Sequence, residues 1–175
     1  MNKLAASIFL SLVCSNAYAG WFLSFGLGQV EFDDGIDQET QAHLASRGGY
    51  AFNDYFDIGV DLNLSVGSTK DDDDFNIQTS YFFIRTNLPI DNDYRLYLMA
   101  GVTHVELQNY TFVGNPVELK SQSGEGYGIG LQIPLKENNT YFAVEYINYL
   151  DEDEFDGESV DVTVDAINLR WVAYY

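Results

Sequence analysis

The chain has 175 residues, with 27 acidic against 8 basic side chains and a formal net charge of −19. That length fits one domain, and the charge excludes nucleic acid and bare anionic surfaces as partners. With a single cysteine, Cys14, there is no disulfide framework to build on.

Residues 1–19 read as a secretory signal peptide, not as part of the fold. Lys3 supplies the positive start, residues 4–13 a short apolar run, and Ala17-Tyr18-Ala19 the small-x-small form that signal peptidase reads. The run is shorter than the ~20 apolar residues needed to cross a bilayer as a helix. Cleavage after Ala19 leaves residues 20–175 as the domain, with no cysteine and no apolar stretch long enough for a transmembrane helix.

From residue 20 onward the apolar residues recur at period two, the mark of strands whose successive side chains take opposite faces. The first strand is predicted over 20–28, with Trp21, Leu23, Phe25 and Leu27 on one parity and Ser24, Gly26 and Gly28 on the other. The second (41–52) sets Leu44, Tyr50 and Phe52 against Ala45, Arg47 and Gly49, and the third (55–65) sets Phe56, Ile58, Val60, Leu62 and Leu64 against Asp57, Gly59 and Asp61. In the fourth (77–88), Phe82, Ile84 and Leu88 oppose Tyr81, Phe83 and Arg85; in the fifth (94–107), Leu96, Leu98, Ala100 and Val102 oppose Tyr97, Met99 and Gly101. The sixth (123–133) places Tyr127, Ile129, Leu131 and Ile133 opposite Gly126, Gly128 and Gly130. The seventh (140–150) has Phe142, Val144 and Tyr146 opposite Ala143 and Glu145, and the eighth (162–175) has Ile167, Leu169, Trp171, Ala173 and Tyr175 opposite Arg170.

The connections alternate in length. Residues 53–54, 89–93 and 134–139 are short turns rich in Pro, Asn and Asp, whereas 30–40, 67–76, 108–122 and 151–161 read as longer loops, three of them strongly acidic. Short turns at one end and long loops at the other is the plan of a membrane-spanning barrel. A closed barrel is also the only sheet that leaves no backbone edge unsatisfied in hydrocarbon.

None of the apolar-parity positions named above carries a charge, while the other parity holds Arg47, Arg85 and Arg170 against Asp57, Asp61 and Glu145. Lys70, Lys120 and Lys136 all fall in loops or turns. Arginine suits enclosed ion pairs, because its planar fork grips carboxylates and keeps its proton. The polar parity is therefore read as the interior and the apolar parity as the lipid side. The fold class is all-β, an eight-stranded antiparallel up-and-down transmembrane β-barrel, whose six lumen charges Arg47, Asp57, Asp61, Arg85, Glu145 and Arg170 form a neutral structural network. Eight strands leave an interior just wide enough for side chains to fill.

The segments RGGYAFNDYFDIGVDL, FAVEYINY and INLRWVAYY resemble the small eight-stranded outer-membrane barrels, the OmpA-type transmembrane domain and its porin-like relatives. The resemblance covers the whole of residues 20–175. It implies location in a Gram-negative outer membrane, contact with its lipid and lipopolysaccharide, and charged side chains held in the lumen. It also implies a last-strand assembly signal read by the barrel assembly machinery, which Ile167, Leu169, Trp171 and Tyr175 match, with Tyr in place of the commoner terminal Phe. Because the sequence ends at Tyr175, no cell-wall-binding domain is expected to follow.

Chemistry outside the lumen is thin. The acidic segments 31–39, 71–74 and 151–161 carry oxygen ligands of the kind Ca2+ or Mg2+ takes, but their spacing is off the EF-hand pattern and a solvated, self-repelling surface is the simpler reading. His104 and Glu106 share the outward face near the long-loop end of the fifth strand, and some small barrels that trim lipid A carry an outward His, Ser and Glu. Val105 follows His104, however, and no serine stands beside it in sequence. His43 has inward parity and reads as a hydrogen-bonded filler. No nucleophile motif, metal cluster or phosphate loop appears. The expected protein is a monomer without cofactor or resident metal, structural or surface-interacting in role and not an enzyme. Two alternatives stand beside it: a lipid A-modifying enzyme, and a soluble periplasmic ligand-binding barrel of lipocalin type.

Overall fold

The computed structural model describes residues 19–35, 38–66, 76–90, 93–112, 115–135, 139–152 and 161–175. They form eight strands: β1 (Gly20–Asp33), β2 (Gln38–Asn53), β3 (Phe56–Ser65), β4 (Asn76–Pro89), β5 (Arg95–Phe112), β6 (Asn115–Pro134), β7 (Thr140–Glu152) and β8 (Val162–Tyr174). Each pairs antiparallel with its sequence neighbours, and β1 closes on β8 from Phe22↔Tyr174 to Asp33↔Thr163, giving an up-and-down barrel with no open edge. Tyr175 donates its backbone N–H to the Trp21 carbonyl at 2.8 Å, which sets the two ends of the barrel side by side at the short-turn rim.

The short turns close by local chemistry. Asn53 Oδ1 accepts the Tyr55 N–H at 2.8 Å, an Asx turn that ends β2 and starts β3. Asp93 and Asn139 sit at φ of 67° and 54°, the left-handed region that these short polar side chains tolerate.

Two of the expected loops are largely strand. The ladder of β1 and β2 runs on to Asp33↔Gln38, and that of β5 and β6 to Phe112↔Asn115. The 108–122 stretch reads as a loop by its sequence, but antiparallel pairing needs only backbone groups, and β5 and β6 pair through it. The acidic segment 71–74 and most of 151–161 lie outside the described residues. A membrane-crossing strand takes about 9–11 residues, so β5 and β6, of 18 and 20 residues, stand well clear of the hydrocarbon.

Side-chain polarity reverses along the strands. On β1 the outward residues run Trp21, Leu23, Phe25, Leu27 and then Gln29, Glu31, while the inward ones run Phe22, Ser24, Gly26, Gly28 and then Val30, Phe32. On β4 the outward Leu88, Ile84 and Phe82 give way to Ser80 and Gln78, and the inward Arg85 gives way to Thr79 and Ile77. β5 follows suit, with Leu98 and Val102 outside below His104 and Glu106, and Val105 and Leu107 enclosed above Tyr97 and Met99. Below this line the wall is apolar outside and polar inside; above it the order is that of a soluble protein. The core is accordingly split inside one tube, an ionic layer nearer the turns and an apolar layer of Val30, Phe32, Ile77, Leu107, Val162 and Val164 nearer the long hairpins. Ala173 departs from the expected lipid exposure: it has outward parity but is buried at the rim.

Candidate functional site

Position along the barrel decides which charges meet. Arg47 on β2 and Asp61 on β3 are direct cross-strand partners, as are Asp57 on β3 and Arg85 on β4. Each pair forms at once from its register, with Arg47 Nη2 2.6 Å from Asp61 Oδ2 and Arg85 Nε donating to Asp57 Oδ2 at 2.6 Å. Two further residues reach across the lumen from the opposite wall. Glu145 on β7 accepts Arg47 Nη1 at 2.8 Å and also Arg170 Nε, while Arg170 on β8 donates Nη2 to Asp61 Oδ2 at 2.7 Å. Arg47, Asp61, Glu145 and Arg170 thus close a four-charge ring, and Arg85 with Asp57 makes a separate pair nearer the turn end. All six side chains are buried, and their charges sum to zero.

Neutral residues that sequence reading left unassigned complete the arrangement. The Tyr97 hydroxyl donates to Glu145 Oε2 at 2.7 Å, and the Tyr97 ring lies 5.2 Å from the Arg85 guanidinium, so one side chain joins the two charge groups. Tyr174 accepts from Arg85 Nη2 at 2.7 Å, and Asn87 donates to Asp57 at 2.7 Å. Phe83 stacks on Arg47 at 5.0 Å and Phe22 on Arg85 at 4.8 Å, covering the faces that make no hydrogen bond.

The rings need glycines opposite them. A Cβ at Gly59 would stand 2.7 Å from the Phe83 ring, and one at Gly130 would stand 2.3 Å from both Cζ and the hydroxyl oxygen of Tyr97. The signal was present in sequence as inward glycines on strands three and six facing inward aromatics on their neighbours. Above the ring, Asn63 donates to Thr79 and to the Tyr149 hydroxyl, each at 2.9 Å, and His43 Nε2 lies 2.5 Å from Asn168 Oδ1. His43 is therefore a buried, hydrogen-bonded filler.

On the outer wall, β8 turns Ile167, Leu169, Trp171 and Tyr175 outward and exposed. Exposure of the wall reaches 67 % at Trp21, 63 % at Leu27 and 60 % at Val102. That corrects the soluble lipocalin-type alternative, since water would face a continuous apolar belt while the arginines stayed enclosed. One polar group interrupts the wall just above Val102. His104 lies directly opposite Ser123 in the β5–β6 register, with Nδ1 2.8 Å from Ser123 Oγ, and its Nε2 is 3.3 Å from Glu106 Oε1. The serine missing beside the histidine in sequence is supplied across the ladder, nineteen positions away. Among the described residues, no group of three or more His, Cys, Asp or Glu is placed to hold a metal ion.

Comparison with known proteins agrees with this geometry. Residues 5–171 match the family model described as outer membrane protein beta-barrel domain. No curated protein matches the sequence. Among solved structures, Neisserial surface protein A superposes with a TM-score of 0.73 at 13% identity, over 91% of this chain and 100% of that one. Ail, the attachment invasion locus protein of Yersinia pestis, gives 0.63 at 19% identity over 90% and 99%, and OprG from Pseudomonas aeruginosa 0.56 at 12% identity over 91% and 97%. With a closed eight-stranded barrel, an apolar wall and a family match over nearly its full length, the chain belongs to the outer membrane protein beta-barrel family and is a barrel of the Gram-negative outer membrane.

Proposed function

We propose that this barrel is a monomeric structural and surface-interaction protein: a closed post that displays its long acidic hairpins outside the cell. The observation that carries the reading is the mutual pairing of the six lumen charges, every one held in an ion pair with an opposite charge and packed with Phe22, Phe83 and Tyr97, across the lumen. A lumen filled in this way holds strands from opposite walls in register and offers no continuous water path. Residues 1–19 act as the export signal, and Ile167, Leu169, Trp171 and Tyr175 act as the assembly signal for the barrel assembly machinery.

The excess of 27 acidic over 8 basic side chains narrows the partner. Ail of Yersinia pestis has been crystallised with the heparin analogue sucrose octasulfate. The acidic hairpins of the present chain favour a different choice, cationic surfaces or lipopolysaccharide phosphates bridged by Ca2+ or Mg2+. Two measurements test the role together. The purified barrel in a planar bilayer is expected to give no ion conductance, and shortening the long hairpins one at a time is expected to change adhesion of expressing cells. Steady conductance by the parent, with adhesion indifferent to every hairpin, would replace this reading with that of a pore.

A further inference from the structure

We propose that Ser123, His104 and Glu106 form a hydrolytic site on the outer wall that cleaves acyl esters of membrane lipids. The proposal goes beyond the structural role above and does not depend on it. Ser123 Oγ lies 2.8 Å from His104 Nδ1, and Glu106 Oε1 3.3 Å from Nε2; in the tautomer with hydrogen on Nε2, the one the site uses, the serine hydroxyl donates to Nδ1 and the ring N–H faces the carboxylate. Nucleophile, base and orienting carboxylate are thereby joined in series, an arrangement recognised by geometry and not by sequence order. It is built on two paired strands of a rigid ladder, so the side chains start from fixed positions.

Location gives the substrate. His104 and Ser123 sit one outward register step above the Val102↔Glu125 pair and Glu106 one step further, where the outward face passes from apolar to polar at the long-hairpin end. That is the depth at which lipid acyl chains meet their ester linkages. An open groove of about 520 Å3 ends at His104 and Glu106 and continues along the wall over Ser80, Leu64, Leu62 and Leu44. Its apolar floor suits an acyl chain lying against the barrel as far as His104 and Glu106; Ser123 stands beyond that end on the next strand, about 4.8 Å across the ladder, so the ester has to pass the His104 ring to reach it.

The chemistry closes with water as the only co-reactant. His104 Nδ1 takes the Ser123 proton as Oγ bonds to the acyl carbonyl carbon; the ester C–O bond breaks, and the departing alcohol takes that proton from the imidazolium. Water, deprotonated by His104, then attacks the acyl-serine, releasing the fatty acid and restoring the Ser123 hydroxyl. Glu106 acts as a positioning residue that holds the ring and meets the charge on the imidazolium. The ladder already uses the backbone N–H groups of β5 and β6 here, so turnover is expected to be slow beside that of an enzyme with a free oxyanion hole.

The test uses the full barrel folded in detergent micelles, its folding verified by the heat-dependent mobility shift on gels. A fluorophosphonate probe is expected to label the parent at Ser123 and to leave S123A unlabelled. Two arms, vesicles of phosphatidylethanolamine and of purified lipopolysaccharide, are assayed for released fatty acid; release from either supports the site and names its lipid. S123A and H104N should lower release by at least about 100-fold. E106Q should lower kcat at least about tenfold at unchanged KM, with partial recovery in Glu106→Asp. A folded parent that takes no probe and releases fatty acid in neither arm overturns the proposal, as does an S123A variant as active as the parent.

Discussion

The two levels of the barrel interior solve the same filling problem with opposite chemistry. Where hydrocarbon surrounds the tube, the interior is held by Arg47, Asp61, Glu145 and Arg170, and by Arg85 with Asp57; where water surrounds it, by Ile77, Leu107, Val164 and their neighbours. In the membrane, apolar burial gives little preference between inside and outside, because lipid is as apolar as a core. Ion pairs that cross the lumen do distinguish the two, since an arginine facing lipid near the midplane costs roughly 2–4 kcal/mol. Above the boundary the ordinary hydrophobic effect returns, and apolar side chains move inside. The lesson is that inward and outward are set by the local solvent along the strand, not by the strand as a whole.

The ionic level should break hardest. Arg85→Leu leaves Asp57 buried with only Asn87 facing it, and is expected to cost about 3–5 kcal/mol, the penalty of stranding a buried charge. Urea unfolding in lipid vesicles, followed by the fluorescence of Trp21 and Trp171, measures it. The double variant Arg85→Leu with Asp57→Leu should recover most of the loss, because two apolar groups leave no charge unpaired. Equal cost in the single and double variants would mean that packing against Phe22 and Tyr97, and not the ion pair, holds this level together.

Crossing the boundary on one strand face gives the next effect. Ile84 and Gln78 both point outward on β4 and stand on opposite sides of the polarity reversal. Ile84→Arg should cost roughly 2–4 kcal/mol. Gln78→Arg should cost no more than about 0.5 kcal/mol, as at an ordinary exposed position. Similar losses at both positions in the same unfolding assay would move the hydrocarbon edge above residue 78.

Much of this was legible in advance, and the limits have physical causes. Period two on 20–28, 55–65 and 94–107 put Trp21, Leu62 and Val102 on one face, and the arginines and carboxylates of the opposite parity showed that this face is the outer one. It carried the closed-barrel reading as well, since no helix-length apolar run competes. The extension of β1 was missed because VEFD was judged by the polarity rule of the membrane level, which it reverses, with Val30 and Phe32 inside and Glu31 outside. Partners across the lumen were out of reach for another reason. Alternation says that Arg47 and Glu145 share a face, but only the register of eight ladders says that they are neighbours across 98 positions. Ser123 is hidden from the sequence for the same reason, since it meets His104 across the ladder and not along its own strand.

The apolar level should respond in proportion to volume. Ile77 is buried among Leu107, Val105 and Tyr149, so Ile77→Val removes one methylene and is expected to cost about 0.5–1.5 kcal/mol. Ile77 has no charged partner to strand, so its loss should not be rescued by any paired change of the kind that restores Arg85→Leu. Losses that scale with the volume removed would separate the two levels by mechanism as well as by size.

The smallest effect is expected at the short-turn mouth, where an ion pair is wet. Arg95 Nη2 is 3.5 Å from Asp54 Oδ1, with both side chains partly exposed, and its guanidinium also stacks over Tyr141 at 4.9 Å and Tyr174 at 5.4 Å. Solvent screens the charge attraction here, and the aromatic contacts hold Arg95 in place without it. Asp54→Asn is therefore expected to cost about 0.2–1 kcal/mol. At 1 M salt, where the Debye length falls to about 3 Å, the remaining difference between parent and variant should vanish. The Arg85–Asp57 pair, shielded by protein on all sides, should show no such salt dependence. A salt response of equal size in both pairs would place water inside the ionic level.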